Sequence, residues 1–322
     1  MSKLLRPPLL FLSFLSLLAA LWAGLVRLGW ALPPVARPPI LAHGPLMISG
    51  FLGTLITLER VVALVQRLPQ ARPFYLAPLL SGVGGLALLL GAPVRIGQIT
   101  ITLASLGLVA VFVLILRLIT TPSATPKSKI QNPSFPYVVM SAAAALWLLG
   151  NGLWLIGRPL AWVVPWWAGF LILTIAGERL ELAKVLLRGG QAGQLFLGVV
   201  GLFLAGLFLS LAAVDLGLRL AGVGLVGLGL WLLRYDVARR TIRQTGLTRF
   251  IAACLLPGYL WLIVGGGLWL WLGAGYTAGP LYDAMLHTLF LGFVFSMIFG
   301  HAPLILPAIL PVTIPYRPLF YL

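Results

Sequence analysis

Cysteine occurs once in this chain, at Cys254, which excludes an intramolecular disulfide and any metal site built on several thiolates. Charge is nearly as scarce. Only 9% of the 322 residues are Asp, Glu, Lys or Arg, against 61% hydrophobic, and the mean hydropathy is +1.07, a balance no soluble domain has. Polar stretches long enough to fold as a separate soluble domain are missing too. The longest, "TTPSATPKSKIQNPSFP", reads as a loop. Histidine is limited to His43, His287 and His301. An ionisable side chain inside apolar sequence is costly, so each of the three is a candidate functional residue.

What fills the chain is a series of apolar runs, each near the roughly 20 residues that a membrane-crossing helix needs. The expected spans are 8–31, 39–66, 73–92, 97–118, 136–157, 160–186, 192–213, 216–235, 250–273 and 279–302, numbered helices 1 to 10. The fold class is therefore an all-α integral membrane protein, a polytopic bundle of at least ten transmembrane helices in a single membrane domain over 1–322. Pro39, Pro73, Pro159 and Pro280 suit the first turns of helices, where the missing N–H has no partner anyway. The run from Pro8 to Leu25 is longer than the apolar core of a signal peptide, about 7–15 residues, and is read as a retained first helix. The prolines of "APLILPAILPVTIPYRP" end helix 10. The closing "LFYL" reads as the start of an eleventh helix, which implies a longer natural chain.

The net charge of +16 follows topology. With Lys3 and Arg6 in the cytoplasm, Arg60, Arg67, Arg72, Arg117, Lys127, Lys129, Arg179, Lys184, Arg188, Arg234, Arg239, Arg240, Arg243 and Arg249 fall on the same side. Only Arg27, Arg37, Arg95, Arg158 and Arg219 fall opposite, as the positive-inside rule requires. The expected location is the bacterial plasma membrane, multi-pass, with a cytoplasmic N-terminus. The lipid bilayer is the expected partner, with a redox partner or larger membrane complex as a candidate and nucleic acid excluded. Trp147, Trp154, Trp162, Trp166 and Trp167 fall near the outer ends of helices 5 and 6, as an aromatic belt would.

An internal repeat organises the chain. Helix 2 reads "GFLGTLITLER", helix 6 "GFLILTIAGER" and helix 10 "GFVFSMIFGHA". Gly50-Phe51, Gly169-Phe170 and Gly292-Phe293 each precede Glu59, Glu178 and His301 by the same spacing. Four-helix pseudo-repeats at about 1–120, 136–240 and an incomplete 250–322 are expected. Glu59-Arg60 and Glu178-Arg179 read as ion pairs at cytoplasmic helix ends that fix packing. The alternative is that their arginines hold haem propionates or a lipid headgroup.

His43 and His287 lie near the outer ends of helices 2 and 10, which run in the same direction, so their imidazoles are expected at similar depth. Two neutral imidazoles from facing helices suit the two axial positions of one haem b, with Gly50 and Gly292 leaving flat space for the macrocycle. Gly44 also flanks His43. Met47, four residues on, is a pocket residue and an alternative ligand. His301, 14 residues after His287, would point to roughly the same face about 21 Å away. A second haem there would need a histidine beyond Leu322. The rival reading is a haem-free accessory subunit of a membrane complex, or a transporter.

With functional residues on helices 2, 6 and 10 of four-helix units, the chain resembles the haem–copper oxidase catalytic subunit. That family holds its low-spin haem by histidines on helices 2 and 10, which map onto His43 and His287, and "HGPLM" is similar to its helix 2 motif. "LHTLFLGFVFSMIFGH" is similar to the late helix of the NnrS family of membrane haem proteins linked to nitric oxide response. The resemblance implies one-electron transfer or nitric oxide-related haem chemistry in an oxidoreductase component. Helices 6, 7 and 8 hold no histidine for copper, and helix 10 lacks the closely spaced second one. No copper and no binuclear centre are expected.

Overall fold

The computed structural model describes residues 2–32, 42–120, 134–183, 190–310, 317 and 319. All regular structure among them is helical, and ten helices are long and apolar enough to cross a membrane. They are α1 (Ser2–Arg27), α2 (His43–Arg67), α3 (Pro69–Leu89), α4 (Val94–Thr120) and α5 (Ser134–Leu155). After these come α6 (Leu160–Ala183), α7 (Gly190–Leu209), α8 (Val214–Tyr235) and α9 (Gly246–Leu272). The last, α10, is built of three successive segments, Pro280–His287, Thr288–Phe295 and Ser296–Ile309. Expected helix starts at Pro39, the loop cations Lys127 and Lys129, the basic residues Arg37, Lys184 and Arg188, and most of "LFYL" lie outside the described residues.

Helix ends follow local chemistry. The first helix stops at Arg27, short of the expected 31, because Gly29 at φ +86° takes a left-handed turn and the Trp30 N–H donates back to the Leu25 carbonyl. Gly157 at φ +84° closes α5 in the same way, with the Arg158 N–H on the Leu153 carbonyl. Helix 10 departs from expectation at its other end. It continues to Ile309 with Pro303 and Pro307 inside it. Proline removes one donor and crowds one preceding carbonyl, and apolar helices absorb that through local adjustment. A short helix, Ala238–Thr241, also joins α8 to α9, where no element was expected.

The chain packs as two compact units, Met1–Thr174 and Ile175–Leu322, dividing within α6. In the first, α4 lies between α3 and α5, while α1 and α3 cover the middle of α2. The tryptophans form core here, not a belt. Trp147, Trp154, Trp166 and Trp167 are buried, and Trp162 is exposed. Trp147 stacks on Phe170 at 4.9 Å, and Trp154 meets Trp167 edge-on at 5.6 Å. In the second unit α8 packs between α7 and α9 through glycines. A Cβ at Gly222 would lie 2.6 Å from the Gly266 carbonyl oxygen, so the backbones of α8 and α9 touch only because both residues lack one.

Two helices contain a π segment. In α2 the eight residues Leu46–Gly53 form a π-helix, and in α10 the eight residues Thr288–Phe295 do so. Gly50-Phe51 and Gly292-Phe293 hold the same two places, fifth and sixth, in their segments. The third copy of the dipeptide, Gly169-Phe170, lies in unbroken α-helix.

Candidate functional site

His43 opens α2 in the short α turn His43–Pro45 that leads into its π segment, and is half-buried. Its Nδ1 lies 2.7 Å from the Ala20 carbonyl oxygen of α1. A carbonyl only accepts, so Nδ1 carries a proton, which in a neutral ring leaves the lone pair on Nε2. Gly24, one turn further along α1, gives the ring its place: a Cβ there would stand 3.0 Å from Cε1 and 3.1 Å from Nδ1 of His43. Ala20 and Gly24 were not singled out from sequence, because neither carries a chemical group that marks it.

His287 ends the first segment of α10 and is half-buried, with Nδ1 2.7 Å from the Asp283 carbonyl oxygen one turn back. His301 repeats the arrangement, its Nδ1 2.6 Å from the Met297 carbonyl oxygen. All three imidazoles thus share one arrangement, Nδ1 donating to a backbone carbonyl, which in the neutral ring places the lone pair on Nε2. An Nδ1–H to carbonyl bond of this kind orients a ligating histidine and raises the basicity of the other nitrogen. His43 belongs to the first unit, His287 and His301 to the second.

The surrounding expectations change in detail. Gly50 does not leave flat space: a Cβ there would meet Ser16 Oγ at 2.9 Å and Gly85 Cα at 3.4 Å, so helix packing fills the position. At Gly292 the Trp261 indole of α9 fills it, with Cγ 2.5 Å from where a Cβ would sit. Of these three glycines, Gly44 opens onto free space, with nothing within 4 Å of a Cβ position. Met47 is the second residue of the π segment, one turn on from His43 and half-buried like it. A π segment separates His287 from His301, and α-helical arithmetic over those 14 residues does not hold.

The π segment of α2 is held by side chains from its neighbours. Ser13 of α1 donates to the Phe51 carbonyl at 3.0 Å, and Ser81 of α3 donates to the Ser49 carbonyl at 2.8 Å. Trp147 of α5 donates to Ser49 Oγ at 3.1 Å, and Trp167 donates to Asn151 Oδ1 at 2.9 Å. In α10 the hydroxyls bond within their own helix: Thr288 to the Met285 carbonyl at 3.0 Å and Ser296 to the Gly292 carbonyl at 2.6 Å.

The ion pairs are also redistributed. Glu59 and Arg60 approach at 3.6 Å, a loose contact between chain neighbours. Arg179 pairs instead with Asp236, in a bidentate contact of 2.8 Å for both Nε and Nη2, buried on both sides. Asp236 Oδ1 also accepts from the Ala238 N–H at 2.7 Å, so one carboxylate starts the short connecting helix and anchors the end of α6. Sequence reading assigned Arg179 to its neighbour Glu178 because the true partner lies 57 residues away.

Among the described residues no three His, Cys, Asp or Glu side chains gather into a metal-holding group. A haem iron takes only two axial side chains from the protein, so it makes no such demand. The family profile described as "Domain of unknown function (DUF8744)" matches residues 6–322. No curated protein and no solved structure matches the chain.

Proposed function

The chain belongs to the DUF8744 family, and we propose that it is an integral membrane b-type haem protein with His43 and His287 as axial ligands. The observation that carries this reading is the shared imidazole state. Both rings commit Nδ1 to a backbone carbonyl at 2.7 Å and keep Nε2 as the donor a metal would use. The opening beside Gly44 and the place Gly24 leaves for the His43 ring support it, as do the π segments, which recur at functional sites. Haem, when bound, supplies one-electron chemistry between Fe(III) and Fe(II), tuned by its axial ligands and surroundings. The chain's own part is to fix the tautomer and orientation of each imidazole and to exclude water with apolar helices.

The same reading makes it a multi-pass protein of a bacterial inner membrane, N-terminus in the cytoplasm, built from four-helix pseudo-repeats. The ten apolar helices support membrane residence, and the equal placement of Gly50 and Gly292 in their π segments supports descent of α2 and α10 from one ancestor. Similarity of "HGPLM" and "LHTLFLGFVFSMIFGH" to haem–copper oxidase and NnrS sequences favours electron transfer or nitric oxide chemistry. A second reading has its own observation: the filled positions at Gly50 and Gly292 favour a haem-free structural subunit in which His43 simply ties α2 to α1. A pyridine haemochrome assay on protein from haem-supplemented cells separates them. About one haem b per chain is expected, and a well-folded chain without haem rejects the proposal.

A further inference from the structure

The connection from α8 to α9 concentrates cations. Arg234, Arg239, Arg240, Arg243 and Arg249 fall within sixteen residues, and all five are exposed. Its single acid, Asp236, is withdrawn from them: the carboxylate is buried and spent on Arg179 and the Ala238 N–H. The other acids at this end of the unit, Glu178 and Glu181, are half-buried on α6. Among the described residues none of the five arginines forms an ion pair. Arg239 donates to the Arg234 carbonyl at 2.7 Å and so caps α8, and Arg234 lies 5.3 Å over the Tyr235 ring.

We propose that this patch binds the anionic phosphate headgroups of phospholipids in the leaflet where α8 ends and α9 begins. The proposal rests on the membrane reading and not on haem. Its location argues for lipid over a soluble acidic partner. The arginines sit directly between two apolar helices, Tyr235 has the amphipathic ring that settles at headgroup level, and Ile242 and Phe250 are half-buried apolar neighbours. Clusters of four to eight basic residues beside a spanning helix attract anionic lipid, each cation strengthening the interaction roughly fivefold near the surface. Turned outward, the Asp236 carboxylate would neutralise part of that field; buried on Arg179, it does not.

Native mass spectrometry of the full chain in detergent, titrated with phosphatidylglycerol or phosphatidylcholine of identical acyl chains, tests the proposal. Preferential binding of phosphatidylglycerol is expected, weakening with salt as exposed charges are screened. The variant R239Q/R240Q/R243Q should lose roughly tenfold or more of that preference. R239K/R240K/R243K should retain most of it, which separates charge from loss of fold, and R67Q/R72Q in the first unit should leave it unchanged. Equal binding of both lipids, or an unchanged preference in the glutamine variant, overturns the proposal. So does inorganic phosphate competing as well as the lipid, which would make the ligand a free anion, or an acidic protein held in place of lipid. Release of the chain from membranes by alkaline carbonate would instead reject the membrane reading itself.

Discussion

In α2, 78% of the most apolar stretch is buried, and the carbonyls of its π segment take hydroxyls from α1 and α3. In α10 only 28% of the corresponding stretch is buried, and the hydroxyls of Thr288 and Ser296 turn back on their own helix. The two helices share a bulge of the same length with glycine and phenylalanine in the same places, yet support it differently. A π turn disturbs the backbone ladder and needs compensation. Where the helix is enclosed, neighbours supply it. Where one side is open, only local side chains can. The second unit also holds a buried charge pair, Arg179 and Asp236.

That contrast can be broken at several points, and the largest effect belongs to the charge pair. Asp236→Ala leaves a buried guanidinium unpaired and should cost about 3–5 kcal/mol, whereas the double replacement R179M/D236L should lie near the parent. Apparent unfolding midpoints in detergent, followed by circular dichroism, check both. Glycine substitutions come next. Gly53→Ala would place a Cβ 2.5 Å from Trp147 Cζ2, inside a fully buried indole, for a cost of about 1–3 kcal/mol. Gly292→Ala meets Trp261, which is 46% exposed and has room to swing aside, so its cost should be smaller by the same assay.

Smaller effects sharpen the comparison of hydroxyls. Ser81→Ala removes a donor from another helix and should cost about 0.5–1.5 kcal/mol, as a typical hydrogen bond does. Ser296→Ala removes only a back-bond within α10 and should change stability by no more than a few tenths of a kcal/mol, roughly, since such bonds compete with the helix ladder. Equal losses in the two variants would show that the π segments are supported alike.

Sequence made the ten apolar spans legible because length and hydropathy are local properties. It did not make the π segments legible. Gly169-Phe170 carries the same dipeptide and remains α-helical, so the deciding partners, Ser13 and Ser81 for α2, lie on other helices. Asp236 was missed for the same reason, its arginine being distant in the chain. The tryptophans were misplaced because position near a helix end does not distinguish an interfacial ring from one buried by a neighbouring helix, as Trp147 and Trp167 are. The histidines stood out by scarcity alone, whereas their common arrangement depends on the Ala20, Asp283 and Met297 carbonyls.

The central claim, two imidazoles presenting Nε2 to one haem iron, is tested most directly by the dithionite-reduced minus oxidised visible spectrum of the purified protein beside His43→Ala and His287→Ala. A sharp α-band at the b-type position that disappears in both variants is the predicted result. A flat spectrum from the folded, haem-supplemented parent would contradict the claim.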